Sequence, residues 1–166
     1  MSETEKKLPQ FMSKAGMSDI NYWIAKYPAE QKQSAVMSTL RIVQEEHGHL
    51  TPELMKLVAE YLDMPAIAVY EVASFYTMYE HQRIGRHLVN VCTNISCLLR
   101  GSSDVVDHLE QKLGIKLGET TDDGRFTLRS VECLGACVNA PMMQIDKEYH
   151  ENLTAESIDK VLEQYQ

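Results

Sequence analysis

Residues 92–97 read Cys-Thr-Asn-Ile-Ser-Cys, and residues 132–141 read Glu-Cys-Leu-Gly-Ala-Cys-Val-Asn-Ala-Pro. These two runs hold all four cysteines of the chain, as the pairs Cys92/Cys97 and Cys133/Cys137. The pairs are spaced C-x4-C and C-x3-C, with residues 98–132 between them. Two short loops that are distant in sequence must therefore converge if the sulfurs act together. Four thiolates that lie close together indicate a metal ion or a cluster.

The residues around both pairs predict loops that follow strands. The run 87–91 alternates and carries β-branched residues, whereas apolar residues recur at helical spacing from Leu98 to Leu113. The first pair is therefore predicted to span a strand-to-helix loop, and the second follows the strand-like run Phe126 to Val131. Small residues would let the backbone approach a buried inorganic centre and donate amide hydrogen bonds to its sulfurs. These residues are Asn94, Ser96, Gly135, Ala136 and Ala140.

Two interpretations of the cysteines involve no metal. Free cysteines are often small buried hydrophobes, but that role does not predict two close pairs flanked by small residues. Two disulfides would suit a secreted domain. However, the first seven residues, Met-Ser-Glu-Thr-Glu-Lys-Lys, contain no apolar signal segment, which predicts a reducing compartment.

The other two interpretations bind a metal. Structural zinc accepts C-x2-C to C-x4-C pairs, although zinc ribbons usually separate their pairs by roughly 15 to 20 residues. The two-plus-two grouping suits a two-iron cluster in which each iron receives two cysteines. The spacing favours the cluster and leaves zinc as the main rival.

Composition limits the remaining classes of function. A length of 166 residues allows one domain or two small ones, and a hydrophobic content of 44% is enough for a core. No run approaches the roughly twenty apolar residues of a spanning helix, so we expect no direct membrane insertion. The net charge is −8, from 16 basic and 24 acidic residues, without a Lys/Arg cluster. Nucleic acid is therefore not an expected partner.

The first half of the chain predicts a small helical bundle. Residues 1–17 are polar and broken by proline and glycine, which predicts a loosely held arm. Ser18 is the predicted cap of a helix that runs to Tyr27. A longer helix is expected over residues 29–47, ended by Gly48 in the left-handed conformation.

Two further helices are expected after Gly48, one capped by Thr51 with Pro52 at its first position and one that starts at Pro65. The run from Phe75 to Tyr79 is rich in aromatic and Met side chains. We expect most of these side chains to pack in the core and part of them to be available to a partner, since such residues are enriched in interfaces.

The second half predicts strands as well as helices. After the helix that ends at Gly114 we expect strands at residues 126–131, 142–145 and 148–150, and then a helix capped by Thr154. This order predicts a small mixed sheet covered by two helices. The fold class is therefore α+β, with a helical domain at residues 1–84, including the arm, and a cysteine-bearing domain at residues 85–166.

Catalytic motifs for an organic substrate are absent from the sequence. It contains no G-x-G-x-x-G, no G-x-x-x-x-G-K-[ST] and no G-x-S-x-G. A disulfide reductase would use C-x-x-C, which is also missing. We therefore expect no catalytic activity from the isolated chain.

The run from Cys92 to Ser102 and the run from Glu132 to Pro141 resemble the thioredoxin-like [2Fe-2S] ferredoxin family. More closely, the chain resembles the E subunits of bacterial NADH-quinone oxidoreductase, respiratory complex I, and residues 40–52 and 69–79 match that family's helical half. The resemblance implies a thioredoxin-like layout for residues 85–166. It also implies one [2Fe-2S] cluster, with the ligands Cys92, Cys97, Cys133 and Cys137.

The same resemblance implies an electron-transfer role, in which the chain exchanges single electrons with the flavin of a NADH-oxidising partner. FMN and NADH would lie on that partner, the F subunit, with the iron–sulfur G subunit nearby. The assembly would be cytoplasmic, in the peripheral arm of a membrane-bound complex. One alternative is the equivalent subunit of an NAD-linked hydrogenase or formate dehydrogenase. An alternative of a different class is a zinc-stabilised interaction module.

Overall fold

The computed structural model describes residues 7–165, which form seven α-helices, three short 3-10 helices and four strands. Its contacts divide the chain into a unit that ends at Arg83 and a unit that begins at Ile84. The first unit is helical and the second combines strands with helices, which confirms the α+β class. The assignment of residues 1–84 and 85–166 to two domains stays a prediction. Within residues 7–165, every helix is too short or too polar to cross a membrane.

The helical unit packs its α-helices around one core of aliphatic and Met side chains. Each helix contributes fully buried residues, among them Ile20, Leu40, Val58 and Val69. The α-helices are α1 (Lys14–Ile24), α2 (Val36–His47), α3 (Pro52–Leu62) and α4 (Ala66–Phe75), and 3-10 turns lie at Leu8–Gln10 and Ala29–Ala35.

The helix ends that depend on local capping lie where the sequence predicts them. Gly48 ends α2 with a φ of 79°. The Thr51 side chain accepts a hydrogen bond from the backbone N–H of Leu54, with proline at the first position of α3. Pro65 directly precedes α4. These signals are reliable because a cap needs only the residues of one helical turn.

The prediction for the N-terminal region is wrong over residues 8–17. Leu8 is buried in the core, and α1 is capped by Ser13 rather than by Ser18, whose side chain is exposed. The Ser13 hydroxyl accepts from the backbone N–H of Gly16 at 3.0 Å and donates to Glu46 Oε1 at 2.5 Å. The cap itself is local, since Ser13 and Gly16 are three residues apart, but the added bond to Glu46 on α2 is long-range and invisible to local patterns. Residues 1–6 of the predicted arm lie outside the described residues.

The predicted helix over residues 29–47 is also only partly correct. Residues 29–35 form 3-10 structure with a kink at Gln31, whose φ is −117°, and the α-helix starts at Val36. The first helix ends at Ile24 instead of Tyr27, and 3-10-type turns follow it.

A four-stranded mixed sheet with the order β2-β1-β3-β4 forms the centre of the second unit. β1 pairs parallel with β2 and antiparallel with β3, and β3 pairs antiparallel with β4. The small mixed sheet is therefore confirmed, with the third strand starting one residue later than expected. The strands are β1 (His87–Cys92), β2 (Phe126–Val131), β3 (Met143–Ile145) and β4 (Glu148–His150).

Three helices accompany this sheet: α5 (Ile95–Leu99), α6 (Ser102–Leu113) and α7 (Ala155–Leu162). The last two bury apolar faces in the same core as the strands. The continuous helix predicted from Leu98 to Leu113 is wrong, because Gly101 adopts a φ of 90° and separates α5 from α6. A glycine takes this left-handed conformation without the strain that a β-carbon would cause.

We predict that Ser13→Ala lowers the free energy of unfolding by about 1 kcal/mol near pH 7, because α1 loses its cap. Hydrogen bonds from the Ser13 side chain and then its backbone lower the pKa of Glu46 from 4.5. A folded-state pKa below the unfolded value gives stability that is present above the unfolded pKa and is lost as the pH falls through the folded pKa. The difference between the two proteins should therefore shrink in acid.

Chemical denaturation near neutral pH and at about pH 3.5 measures this difference. Ser18→Ala is the matched control, because it changes an exposed serine inside α1 that makes no cap. Equal destabilisation by both substitutions would contradict the assignment of Ser13 as the cap.

Candidate metal centre

The parallel pairing of β1 and β2 brings the two cysteine loops together. Cys92, the last residue of β1, lies opposite Val131, the last residue of β2. The chain leaves both strands at the same end of the sheet, and the backbone N–H of Thr93 donates to the carbonyl of Val131 at 2.9 Å. The two cysteine loops, which are distant in sequence, therefore begin side by side.

The first loop places its two cysteines in the protein interior. Cys92 ends β1, and Cys97 lies within the short helix α5, so the predicted strand-to-helix loop is confirmed. Asn94 caps α5 by accepting from the backbone N–H of Ile95 at 2.8 Å. Both cysteines are buried, with 2% and 1% of their surfaces exposed.

The second loop holds its two cysteines at the surface. The chain has no regular structure between Val131 and the 3-10 turn Cys137–Asn139, and Gly135 has a φ of 81°. Cys133 and Cys137 are both exposed. None of the four cysteines is joined to another in a disulfide.

Direct contacts join the two loops. The Cys92 thiol donates to the carbonyl of Glu132 at 3.5 Å, and the Asn94 amide donates to the Glu132 carboxylate at 3.4 Å. Ala136 and Leu134 of the second loop pack against the small buried cluster that contains Cys92 and Cys97. The loops are thus held against one another by the protein itself.

Burial first, and then the adjacent Cys92 and Cys137, raise the pKa of the Cys97 thiol to about 11, whereas a hydrogen bond from the backbone of Met142 opposes the shift. A thiol must lose its proton before it can bind a metal. The Cys97 thiol therefore keeps its proton at neutral pH, and a metal that bound Cys97 would have to displace that proton.

The donor set fits a two-iron cluster. Four thiolates in two close pairs on adjoining loops are the ligand set of a [2Fe-2S] cluster, in which each iron takes two of them. The assignment of Cys92, Cys97, Cys133 and Cys137 as the ligands stays a prediction.

Met142 is a site residue that the sequence did not identify. It is fully buried beside Cys92 and Cys97. Its carbonyl accepts from the backbone N–H of Cys92 at 3.2 Å, and its own backbone hydrogen-bonds the Cys97 sulfur. Hydrogen bonds to ligand sulfurs tune iron–sulfur centres. No sequence signal marks Met142 because it acts through its backbone.

Comparisons with known proteins agree with this geometry. The family model for thioredoxin-like [2Fe-2S] ferredoxins matches residues 20–166. The chain is 46% identical over 143 residues to the E subunit of NADH-quinone oxidoreductase from Rickettsia felis, covering 86% of each chain. It is 48% identical over 141 residues to an E subunit of NADH-quinone oxidoreductase from Rhizobium meliloti, covering 85% of this chain and 83% of the relative.

A solved structure supports the fold. The chain superposes on part of an NAD+-reducing [NiFe]-hydrogenase in the H2-reduced state with a TM-score of 0.66 and 21% identity. The match covers 76% of this chain but only 22% of the hydrogenase chain. Together with the family match, it confirms the thioredoxin-like fold.

We predict that the two cysteine pairs of the metal-free chain differ in reactivity. At neutral pH, Cys92 and Cys97 should react with iodoacetamide at least about tenfold more slowly than Cys133 and Cys137, because they are buried and thiolate is the reactive form. Mass spectrometry of digests taken over a time course measures each rate. Alkylation in denaturant is the control and should abolish the difference. Equal rates in the native chain would contradict the burial of the first pair.

Proposed function

The chain belongs to the thioredoxin-like [2Fe-2S] ferredoxin family and, within it, to the E subunits of NADH-quinone oxidoreductase, and we propose that it works there as a single-electron carrier. In this proposal Cys92, Cys97, Cys133 and Cys137 hold one [2Fe-2S] cluster. Its electrons are exchanged with the flavin of a NADH-oxidising partner subunit.

One observation carries the proposal: two pairs of free cysteines lie on adjoining loops at one end of the sheet. A bound [2Fe-2S] cluster would supply reversible one-electron transfer. The chain contributes thiolate ligands, a buried inner wall that includes Met142, and a backbone hydrogen bond from Met142 to the Cys97 sulfur. Oxidation of NADH itself is assigned to the partner, because this chain carries no dinucleotide-binding motif.

The residues around the cysteine loops suit the approach of a partner. Ile95, Leu98 and Leu99 on α5 are 62%, 49% and 78% exposed, and Val138, next to Cys137, is 96% exposed. Electron transfer requires a partner close to the exposed side of the cluster. We propose that the flavin-containing F subunit covers this side and that the iron–sulfur G subunit lies nearby.

The helical unit offers a second surface. The expectation that most of the aromatic-rich run packs in the core is wrong, because only Tyr79 is buried, whereas Phe75, Tyr76 and Met78 are 77%, 40% and 51% exposed. Tyr70 on α4 is 50% exposed. Aromatic and Met side chains are enriched in protein interfaces. We propose that these residues dock the helical unit on the same partner, in a cytoplasmic peripheral arm.

We predict that the chain purified without oxygen contains about two irons and two acid-labile sulfides. It should give an electron paramagnetic resonance signal only after reduction, because the oxidised pair of irons is diamagnetic as a whole. Metal and sulfide analysis of protein made under iron-replete conditions measures this. Stoichiometric zinc without sulfide would instead establish the zinc-stabilised interaction module.

We further predict that the two units have separable functions, with cluster binding in the second unit and partner binding in the helical unit. A truncated chain that begins at Gly85, reconstituted with iron and sulfide, should show a near-native cluster spectrum, since both cysteine loops and their core lie in the second unit. It should bind the isolated flavin subunit at least about tenfold more weakly than the full chain, because the exposed aromatic surface is lost.

Titration of the flavin subunit with both proteins measures this difference in affinity. Full-length chain carrying Phe75→Ser is the matched comparison, because it removes the most exposed of these aromatic side chains and keeps the helical unit. It should also weaken binding, though less than the truncation does. Unchanged affinity of the truncated chain would assign the whole interface to the second unit. Failure to assemble a cluster would show that the two units fold as one.

A further inference from the structure

The loop that carries the exposed cysteines is held by side chains from the neighbouring hairpin. The Tyr149 hydroxyl on β4 donates to the carbonyl of Leu134, the residue after Cys133, at 2.6 Å. This bond reaches the loop between its two cysteines. A bond of this length is well formed although Tyr149 is 49% exposed.

A second set of bonds holds the other end of the loop. The Asn139 amide donates to the Glu151 carboxylate at 2.6 Å, and the backbone N–H of Asn152 donates to the carbonyl of Asn139 at 2.8 Å. Asn139 closes the 3-10 turn that begins at Cys137. Residues 149–152 therefore contact the loop both between its cysteines and after them.

The two cysteine pairs depend on different supports. Cys92 and Cys97 are fixed by a strand, a helix and a buried apolar cluster. Cys133 lies in irregular chain and Cys137 begins a 3-10 turn, and both are exposed, so burial does little to fix their sulfurs. Side-chain hydrogen bonds from the hairpin add to the packing of Leu134 and Ala136 in restraining this loop.

We propose that Tyr149 is a positioning residue for the cluster, acting with Glu151 as a tether that sets where the sulfurs of Cys133 and Cys137 lie. This inference rests on the proposed function, since it requires a cluster on those sulfurs. Tyr149 touches the loop backbone and not the cysteines, so its effect is indirect. A ligand loop that is already in place loses less conformational freedom when it binds, which slows loss of the bound group.

The test uses the full-length chain purified without oxygen and compares Tyr149→Phe with the wild type. This change removes one hydroxyl and keeps the ring. Tyr165→Phe is the matched control, because the Tyr165 hydroxyl bonds Glu148, also on β4, at 3.0 Å rather than the cysteine loop. Bleaching of the cluster by an iron chelator and the resonance spectrum of the reduced protein are recorded for each.

Tyr149→Phe should lose its cluster about 2- to 10-fold faster than the wild type, as expected for one hydrogen bond, and should shift the resonance line shape. Glu151→Ala should act in the same direction, and Tyr165→Phe should match the wild type. If Tyr149→Phe does not fold, Glu151→Ala decides the outcome alone.

Wild-type bleaching and spectrum in both Tyr149→Phe and Glu151→Ala would overturn the inference and leave the proposed function intact. An equal effect of Tyr165→Phe would also overturn it, because the cause would then be general weakening of β4. A wild-type chain without any cluster would instead overturn the proposed function, and the inference with it.

Discussion

The parallel pairing of β1 with β2 is the constraint on which the candidate site depends. Parallel strands have their carboxyl ends at the same edge of a sheet, so Cys92 and Val131 finish side by side. The cysteine loops that follow them share one location although residues 98–132 separate the pairs in sequence. An antiparallel pairing of the same strands would send the loops to opposite ends and leave two unrelated pairs of thiols.

The site built on this pairing has an inner and an outer side. The inner side is buried and made of Cys92, Cys97 and Met142, where burial raises the pKa of the Cys97 thiol to about 11. The outer side is the exposed loop, which the β4 hairpin holds by side-chain hydrogen bonds. The proposed one-electron carrier would need both sides, because the interior would protect the centre and the exposed side would let a partner approach.

The sequence predicts the features that arise from a few neighbouring residues. Caps at Gly48, Thr51 and Thr154 and the strand Phe126–Val131 all follow from local chemistry. The cysteine spacing likewise indicated the chemistry of the site and, with the family resemblance, its fold. What could not be predicted is long-range: a carboxylate from α2 binds the serine that caps α1, and the support of the cysteine loop depends on the hairpin that follows it. No local pattern encodes such partners.

The central claim is that four cysteines share two irons. Crystals of the chain, grown without oxygen and measured at the iron and zinc absorption edges, test it most directly. The account predicts two anomalous peaks at the iron edge between the loops, with each iron bonded to two of the sulfurs of Cys92, Cys97, Cys133 and Cys137. A single peak that appears at the zinc edge and is surrounded by all four sulfurs would contradict it.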